Sequence, residues 1–542
     1  MADEVADAAG LPADTPAVGA GDATGLVPPA ETSEPIPFGH PAEAAAPPGC
    51  EPFPLTDIQE AYRIGRTDAF ELGGISTCFF TEVDVTDLDL PRLERALRRL
   101  IVRHDMLRAV LLPDGGQRVL PDVPGYGIAV TDLRNMSGAD REQGLRDRHA
   151  ELRDQDFDAT RWPLFDVRAT LIDEHRTRLH IRFDGLIADA RSAALLFRDW
   201  ALFHRGEDGS LPDLSYTFRE YVLATRASRD TAGYRRAVEY WDARLETLPP
   251  APELPLLLPS AGHPPQPRFT HRTAVLTGQE WTAFKKHAAD TGVTPSAALC
   301  TAYAQVLAEW SSTDHFTLTL LFFNRASHHP HVRDIVGNCS STVLLETDNR
   351  AEDPFAVRAR RLQLRLANDL EHSQVSGVEV LRRLNGMRGA VGRASMPFVF
   401  ASAIGGPGQD RPDALFDYEA HLARLGTEGR QVHASVRTPQ VVLDHQAVEE
   451  GDGLRLNWDV REALFPDGLV EAMFTAYREV LTELCHDADA WRRPADVHVP
   501  SADLAVRDDA NATSGPAPAG LLHDAFAARA AEGPHRMAVI AH

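Results

Sequence analysis

An α/β pattern that occurs twice along the chain is the feature that most limits its fold. In the first half, Asp89 is a plausible cap for the helical pattern "LPRLERALRRLIVRHD", and "MLRAVLL" then has the composition of a strand. The alternating "TRLHIRF" predicts another strand, followed by a helical pattern from Ala190 to about His204. In the second half, Thr294 and Pro295 begin a helical pattern, and "HFTLTLLFF" and "SSTVLLE" predict strands.

The two α/β halves flank a Pro-rich segment, "LPPAPELPLLLP", at residues 248–259. Alternating helices and strands on both sides of such a joint predict two lobes of similar size. A cleft between two lobes is a frequent place for a binding or catalytic site. The expected fold class is therefore α/β, with two lobes and a site between them.

Length and charge exclude several classes of protein. The 542 residues suffice for more than one core, and the net charge of −24 argues against nucleic acid as a main partner. No apolar run approaches the roughly 20 residues of a membrane span, so no membrane partner is expected. Residues 1–20 contain no Lys or Arg and no apolar block, which predicts a cytoplasmic protein.

The five cysteines are scattered and lack the spacing of a metal or redox site. They are Cys50, Cys78, Cys300, Cys339 and Cys485. We therefore expect free, mostly packed thiols, with no bound metal and no directly bound cofactor.

The two ends of the chain differ from its body. Residues 1–49 are rich in Ala, Pro, Gly and acidic side chains, which predicts a disordered acidic leader, either a solvated tail or a docking segment. Residues 496–520 have the composition of a linker. Residues 521–542 look like the opening helix and strand of a further domain that is then cut off.

Two aspartates lie five positions apart in the apolar run "HIRFDGLIADARSAALLFRDW". Asp184 falls where a strand ends, and Asp189 falls just before a helix. Asp189 is a possible helix N-cap and Asp184 a possible turn residue. The spacing also allows both carboxylates to enter one cavity as an acid/base pair. Spacing alone leaves both interpretations open.

Motifs across residues 50–490 resemble the heterocyclization domains of nonribosomal peptide synthetases, which are relatives of condensation domains. In that family DxxxxD followed by a serine replaces a histidine motif, and Asp184, Asp189 and Ser192 match it. Further motifs follow in the family's order: "FPLTDIQEAYRIGR" at 53–66, "RHDMLRAV" at 103–110, "TPSAALCTAYAQVLAEW" at 294–310, "FFNR" at 322–325, "PFVFAS" at 397–402, "RTPQVVLDHQ" at 437–446 and "WDVREALFPDGLV" at 458–470. The last residues, 521–542, resemble the start of an adenylation domain.

The resemblance implies a fold of two chloramphenicol-acetyltransferase-like lobes in a V-shaped pseudo-dimer with a tunnel between them. The implied lobes are residues 50–225 and 226–495. It also implies two reactions on substrates carried by phosphopantetheine arms: amide formation, then attack of a Cys, Ser or Thr side chain on the new amide to give a thiazoline or oxazoline. The implied partners are an upstream and a downstream peptidyl carrier protein and an adjoining adenylation domain.

The resemblance also assigns roles to single residues. Asp444 matches the aspartate that the family uses for proton transfer, and its apolar neighbours predict a raised pKa. Asn324 is expected to hydrogen-bond the carbonyl under attack. Asp189 is expected to bind Arg325 and hold the site in shape, whereas Asp184 is expected to line the tunnel. A strand-end role for Asp444 and a turn role for Asn324 remain open. Three more motif residues are expected at the tunnel: Ser192, Thr438 and Gln440.

Two departures from the family pattern affect the expected chemistry. Ala401 stands where the family usually has a threonine implicated in ring closure, and "VGNCSS" at 336–341 replaces the usual "VGDFTS". Loss of the threonine hydroxyl predicts a different proton relay, completed by Ser402 or a water molecule, and room for an acceptor with a substituent on its α-carbon. The histidines of "SHHPHVRD", at 328, 329 and 331, are expected in a loop.

Three functions remain open from the sequence. The leading one is an enzyme that both condenses and cyclizes. The second is a condensing enzyme that forms a linear amide, which Ala401 favours. The third is a noncatalytic platform for carrier proteins, which the polar residues expected in the tunnel argue against.

Overall fold

The computed structural model describes residues 49–257, 268–325, 329–404, 418–513, 521, 523–535 and 537. The predicted acidic leader, apart from residue 49, and His328 lie outside these residues. The helices are α1 Asp57–Gly65, α2 Leu90–Arg103, α3 Gly138–Arg153, α4 Ala190–Arg205, α5 Phe218–Ala227, α6 Ala232–Asp242, α7 Gly278–Asp290, α8 Pro295–Trp310, α9 Phe355–Glu371, α10 Gly377–Arg388, α11 Tyr418–Ala423, α12 Leu469–His486, α13 Ser501–Asn511 and α14 Asp524–Glu532. The strands are β1 Cys78–Thr86, β2 Ala109–Leu111, β3 Gln117–Val119, β4 Ala129–Asp132, β5 Phe165–Leu171, β6 Arg176–Asp184, β7 Thr270–Leu276, β8 His315–Phe323, β9 Ser340–Asp348, β10 Phe398–Ala403, β11 Glu428–Arg437, β12 Leu443–Glu450 and β13 Gly453–Val460.

The N-terminal lobe is built on a five-stranded sheet in the order β11-β1-β6-β5-β4, antiparallel except for the β4–β5 pair. The amphipathic helices α2 and α4 bury their apolar faces in its core. Asp89 caps α2 as predicted, because its side chain accepts a hydrogen bond from the backbone N–H of Arg92 at 2.9 Å. The predicted strand and helix around Asp184 and Asp189 are β6 and α4.

The C-terminal lobe is built on a six-stranded sheet in the order β7-β13-β12-β10-β8-β9. Its parallel pairs are β8–β10 and β10–β12. Helix α8 is buried along most of its length, beside α7 and α12. Thr294 caps α8 and Pro295 is its first residue, as the sequence predicted. The expected two-lobed α/β fold is therefore confirmed.

Strand β11 belongs to the second half of the sequence but pairs with β1 in the sheet of the first half. Helix α5 runs through residue 225, where the sequence predicted the lobe boundary. Phe218 and Tyr221 of α5 belong to the core of the N-terminal lobe, whereas Trp241 of α6 packs against the C-terminal lobe. The packing therefore changes from one core to the other across the short turn after Ala227.

The segment predicted as a linker, 496–520, contains α13, whose residues lie at the surface. The predicted opening helix of residues 521–542 is α14. His329 and His331 lie at a short 3-10 turn between β8 and β9, in agreement with the predicted loop.

Candidate active site

Asp184 is the last residue of β6 and is fully buried beneath the site. Its carboxylate forms an ion pair with Arg66 at the end of α1, and Oδ1 accepts a hydrogen bond from the Leu186 N–H at 2.9 Å. Burial raises the pKa of Asp184, and the charge of Arg66 opposes that shift. Asp184 is not among the described residues that line the cavity between the lobes. This placement corrects the expectation that it lines the tunnel: Arg66 draws its carboxylate into the protein.

Asp189 combines the two roles that the sequence left open. Its Oδ1 accepts a hydrogen bond from the Ser192 N–H at 2.7 Å, which caps α4, and one from the Arg325 guanidinium at 3.0 Å. Its Oδ2 accepts the Cys339 N–H at 3.1 Å. The Ser192 hydroxyl donates to the Gly337 carbonyl at 2.8 Å and accepts from Arg325 at 2.9 Å. The motif thus joins the start of α4 to the segment between β8 and β9.

A cavity lies between the sheets of the two lobes. One part of its lining is aromatic and aliphatic, and another is polar. The apolar part includes Phe79, Ile181, Phe183, Phe197, Leu321 and Phe322. The polar part includes Asp189, Asn338, Ser340, Thr438, Asp444, Gln446 and Asn457. Strands of both lobes therefore enclose one space with an apolar side and a polar side.

Asp444 lies near the start of β12 with its side chain toward this cavity. Its Oδ2 accepts a hydrogen bond from the Gln446 amide at 3.3 Å, and its buried Oδ1 has no partner among the described residues. Burial, together with the nearby carboxyl of Asp459, raises the pKa of Asp444 to about 7, as expected for a carboxyl among apolar groups. A group with such a pKa is able both to give and to accept a proton near neutral pH.

Ala401 and Ser402 lie on opposite faces of β10, because side chains alternate along a strand. Ala401 pairs in register with Gln446 and faces the cavity with Asp444. The Ser402 hydroxyl is hydrogen-bonded to the Ser296 hydroxyl at the start of α8. Ser402 also borders the cavity, but this partner lies on the helical side of the sheet. The geometry therefore does not support the expected relay from Asp444 through Ser402.

Three other predicted site residues have different surroundings. Thr438 lines the cavity between the lobes. Asn324 lines a smaller cavity beside α1 and α5, where its backbone carbonyl accepts a hydrogen bond from the Tyr221 hydroxyl at 2.6 Å. Ser340 borders both cavities and connects their linings. Gln440 has a φ of 63°, and its N–H donates to the Leu72 carbonyl at 2.9 Å. In the described part of the chain, Asn324 and Gln440 do not line the larger cavity.

Three polar residues near Asp444 were not singled out from the sequence: Gln446, Asn457 and Asp459. Gln446 and Asn457 are register partners on β12 and β13, and Asn457 Oδ1 is buried without a partner among the described residues. Asp459 is the register partner of Asp444. The alternation in "LRLNWDV" places Asn457 and Asp459 on one face of the strand, opposite Trp458. This pattern is the sequence signal that could have identified both residues.

The described residues contain no group of three or more His, Cys, Asp or Glu side chains arranged to hold a metal ion. Within the same residues, no helix combines the length and apolar character needed to cross a membrane.

Comparisons with known proteins place this architecture in one family. The family model "Condensation domain" matches residues 76–494. The chain is 36% identical over 507 residues to phenyloxazoline synthase MbtB of Mycolicibacterium paratuberculosis, covering 92% of this chain and 42% of that protein. It is 33% identical over 496 residues to bacitracin synthase 1 of Bacillus licheniformis, covering 91% of this chain and 9% of that protein. The chain thus spans less than half the length of these relatives.

Solved structures show the same relationship. The cyclization-docking bidomain of the nonribosomal peptide synthetase EpoB from Sorangium cellulosum has a TM-score of 0.73 and 36% identity, covering 82% of this chain and 88% of that chain. The synthetase FmoA3, solved in an alpha-methyl-L-serine-AMP bound form, has a TM-score of 0.72 and 32% identity, covering 90% of this chain and 50% of that chain. The chain therefore belongs to the condensation-domain family of enzymes and contains a cyclization-type domain of a nonribosomal peptide synthetase.

Proposed function

We propose that the cavity between the lobes condenses two carrier-bound substrates and then closes the new amide to an oxazoline or thiazoline ring. The observation that carries this proposal is Asp444, a buried carboxyl with one unpartnered oxygen at the cavity. A buried carboxyl with one unsatisfied oxygen is costly to the fold, and a proton-transfer role explains why it is kept there.

The first stage is amide formation. The amine of the acceptor, held as a thioester on the downstream carrier, attacks the thioester carbonyl of the donor on the upstream carrier. The C–S bond breaks, and the thiol of the upstream phosphopantetheine arm leaves with a proton. Holding both reactants in one enclosed space supplies much of the required rate by positioning alone.

The second stage needs proton transfer at defined atoms. The side-chain oxygen or sulfur of the acceptor attacks the new amide carbonyl, and its own proton passes to the carbonyl oxygen, which becomes a hydroxyl group. That hydroxyl group then takes up a second proton and leaves as water, while the nitrogen loses its proton. In this scheme protonated Asp444 donates a proton to the departing oxygen and later accepts the proton from nitrogen. The carboxyl is restored at the end of the cycle, and one water molecule is released. A pKa of about 7 suits both transfers.

The apolar side of the cavity favours an uncharged donor. Phe79, Phe183 and Phe197 offer ring faces and edges to an acyl group, whereas a charged group would lose hydration there without a partner. The relative MbtB bears the name phenyloxazoline synthase, which agrees with an aromatic donor.

The space beside Ala401 favours an acceptor with a substituent on its α-carbon. The Ala401 side chain points from β10 to the same side of the sheet as the Asp444 side chain. A threonine at this position would add two heavy atoms to the cavity wall. A methyl group on the acceptor's α-carbon fills such a void. It also favours ring closure, because it reduces the number of conformers that the linear amide can adopt. FmoA3 is similar to this chain and was solved with alpha-methyl-L-serine-AMP, which supports this acceptor class.

Product analysis tests the proposal against the two alternatives. The protein would be supplied with a benzoyl thioester on an upstream carrier and with seryl, cysteinyl or α-methylseryl thioesters on a downstream carrier. Mass spectrometry of the downstream carrier is expected to show a product one water molecule lighter than the linear amide. A linear amide alone would indicate a condensing enzyme, and absence of any product would indicate a docking platform.

A further inference from the structure

Asp444, Asp459 and His271 form a row across three neighbouring strands. Asp444 of β12 is the register partner of Asp459 of β13, and Asp459 is the register partner of His271 of β7. Directly opposed side chains on one face of a sheet have Cβ atoms about 4.5–5.5 Å apart. Two carboxyls therefore lie side by side, the first of them at the cavity, with an imidazole on the far side of the second one.

The two carboxyls have unequal hydrogen bonding. Asp459 accepts hydrogen bonds from His271 Nδ1 at 3.0 Å, from the Val436 N–H at 3.1 Å and from the Gln446 amide at 3.3 Å. Asp444 accepts a bond from the same Gln446 amide, and its other oxygen has no partner among the described residues. Burial raises the pKa of both carboxyls, but His271 and the Val436 N–H oppose that rise at Asp459, whereas only Gln446 opposes it at Asp444. Because like charges opposed in a sheet are unfavourable, the less well satisfied carboxyl is the one expected to hold a proton.

We propose that Asp459 and His271 are positioning residues for ring closure: the His271 N–H holds Asp459 as the anion, and that anion keeps a proton on Asp444, next to the substrate. This inference rests on the proposed ring-closing role of Asp444. It adds a function for two residues that do not themselves reach the reacting atoms.

Two phenols and one imidazole near the row are neutral at working pH. Glu82, which lies further away, is an anion: burial raises its pKa, but the hydrogen bonds of His149 and His180 lower it to about 2. Tyr62 of α1 and Tyr303 of α8 lie near Asp444, and burial raises the pKa of both phenols. His433 of β11 lies beside His271, with ring centroids 5.7 Å apart, and burial lowers the pKa of His433 to about 4. His433 also contacts His149, which is hydrogen-bonded to Glu82. The Asp459 anion is therefore the charge that most directly sets the protonation of Asp444.

The test follows amide and ring formation separately against pH, with the benzoyl donor and the seryl acceptor. Asp459→Asn removes the negative charge beside Asp444. In a plot of the ring-closing rate against pH, the change caused by titration of Asp444 is therefore expected to move from near pH 7 to a pH about one unit lower. The shift has this direction whether Asp444 acts as acid or base. Amide formation is expected to keep the wild-type profile.

His271 provides a second, conservative pair of variants. His271→Leu removes the N–H donor and is expected to slow ring closure about tenfold. His271→Asn places an amide N–H near the position of Nδ1 and is expected to restore most of that loss. Asp290→Asn and His175→Asn are matched controls at exposed ion pairs and are expected to behave as wild type.

An unchanged pH profile in Asp459→Asn, or equal losses in His271→Leu and His271→Asn, would overturn the inference. If the Asp459→Asn protein forms no amide, it has lost its fold. The comparison of His271→Leu with His271→Asn then tests the inference. A wild-type protein that yields linear amide and no ring contradicts the proposed function first, before any variant is compared.

Discussion

The Asp189 carboxylate accepts hydrogen bonds from the Arg325 guanidinium at 3.0 Å and from the Cys339 N–H at 3.1 Å. Both partners belong to the segment between β8 and β9, so one side chain connects the two halves of the sequence. Asp189 and Arg325 are both buried, which makes the pair sensitive to loss of either member.

Asp189→Ala is expected to lower the free energy of unfolding by about 3–5 kcal/mol, because it leaves the buried Arg325 charge without its partner. Denaturant unfolding measures this loss. The double variant Asp189→Ala, Arg325→Met removes both charges and is expected to recover part of it. A variant at 189 that stays fully stable but inactive would instead indicate direct catalysis by Asp189.

Asp444→Ala is expected to slow ring closure by about 10²–10⁴-fold while linear amide still forms, because dehydration depends on proton transfer more than condensation does. The ratio of cyclic to linear product on the downstream carrier measures the effect. Asp444→Asn is the matched variant, since it keeps the shape of the side chain. Equal loss of both products would contradict the assigned role.

The raised pKa of Asp444 predicts a dependence of stability on pH. The folded pKa of about 7 exceeds the value of 3.8 for an ordinary aspartate, so the folded protein binds this proton more tightly than the unfolded chain. Stability from this group is present below about pH 4 and is lost as the pH rises to about 7.

Asp444→Asn lacks this titration and is therefore expected to gain stability over wild type as the pH rises, by up to about 4 kcal/mol above pH 7. Thermal unfolding of both proteins from acidic to basic pH measures the difference. Asp290→Asn, at an exposed pair, is expected to show no such trend. If the difference in stability between Asp444→Asn and wild type were the same at every pH, Asp444 would not be buried as the neutral acid.

Ala401→Thr is expected to reduce ring closure with the α-methylseryl acceptor more than with the seryl acceptor. The added hydroxyl and methyl groups occupy the space assigned to the acceptor's α-substituent. Parallel rate measurements with the two acceptors test this. If the variant improves both reactions alike, Ala401 is a defect in the proton relay rather than a steric adaptation.

Ser402→Ala is expected to leave the ratio of cyclic to linear product close to that of wild type. The Ser402 hydroxyl is bound to Ser296 on the helical side of β10, away from Asp444. Ser296→Ala is the matched control for the loss of that hydrogen bond. A loss of ring closure in Ser402→Ala alone would restore the relay that the sequence suggested.

Local patterns in the sequence predicted the elements of the fold well. Helices α2, α4 and α8 begin at the expected caps, because capping and apolar spacing are encoded within a few residues. Strand β11 was not assigned to the first lobe, since its partner β1 is distant along the chain and pairing register leaves no local signal.

The residues of the candidate site were also predicted best where the signal was local in the sequence. The Asp189–Arg325 pair and the raised pKa of Asp444 were expected from motifs and apolar neighbours, and the structure agrees. The partner of Asp184 was not foreseen, because Arg66 approaches from α1. Asp459 was missed because its role comes from its register with Asp444, which only the assembled sheet defines.

The pairing of β11 with β1 has a consequence for how the protein can be divided. A gene fragment that ends in the turn after Ala227 would encode β1 without the strand that covers its outer edge. An exposed strand edge of that kind favours aggregation over independent folding. The two lobes are therefore separate in architecture but not in folding. Recombination of this enzyme with its relatives should exchange both lobes together, because a chimera joined between them would have to rebuild a sheet from strands of different ancestry.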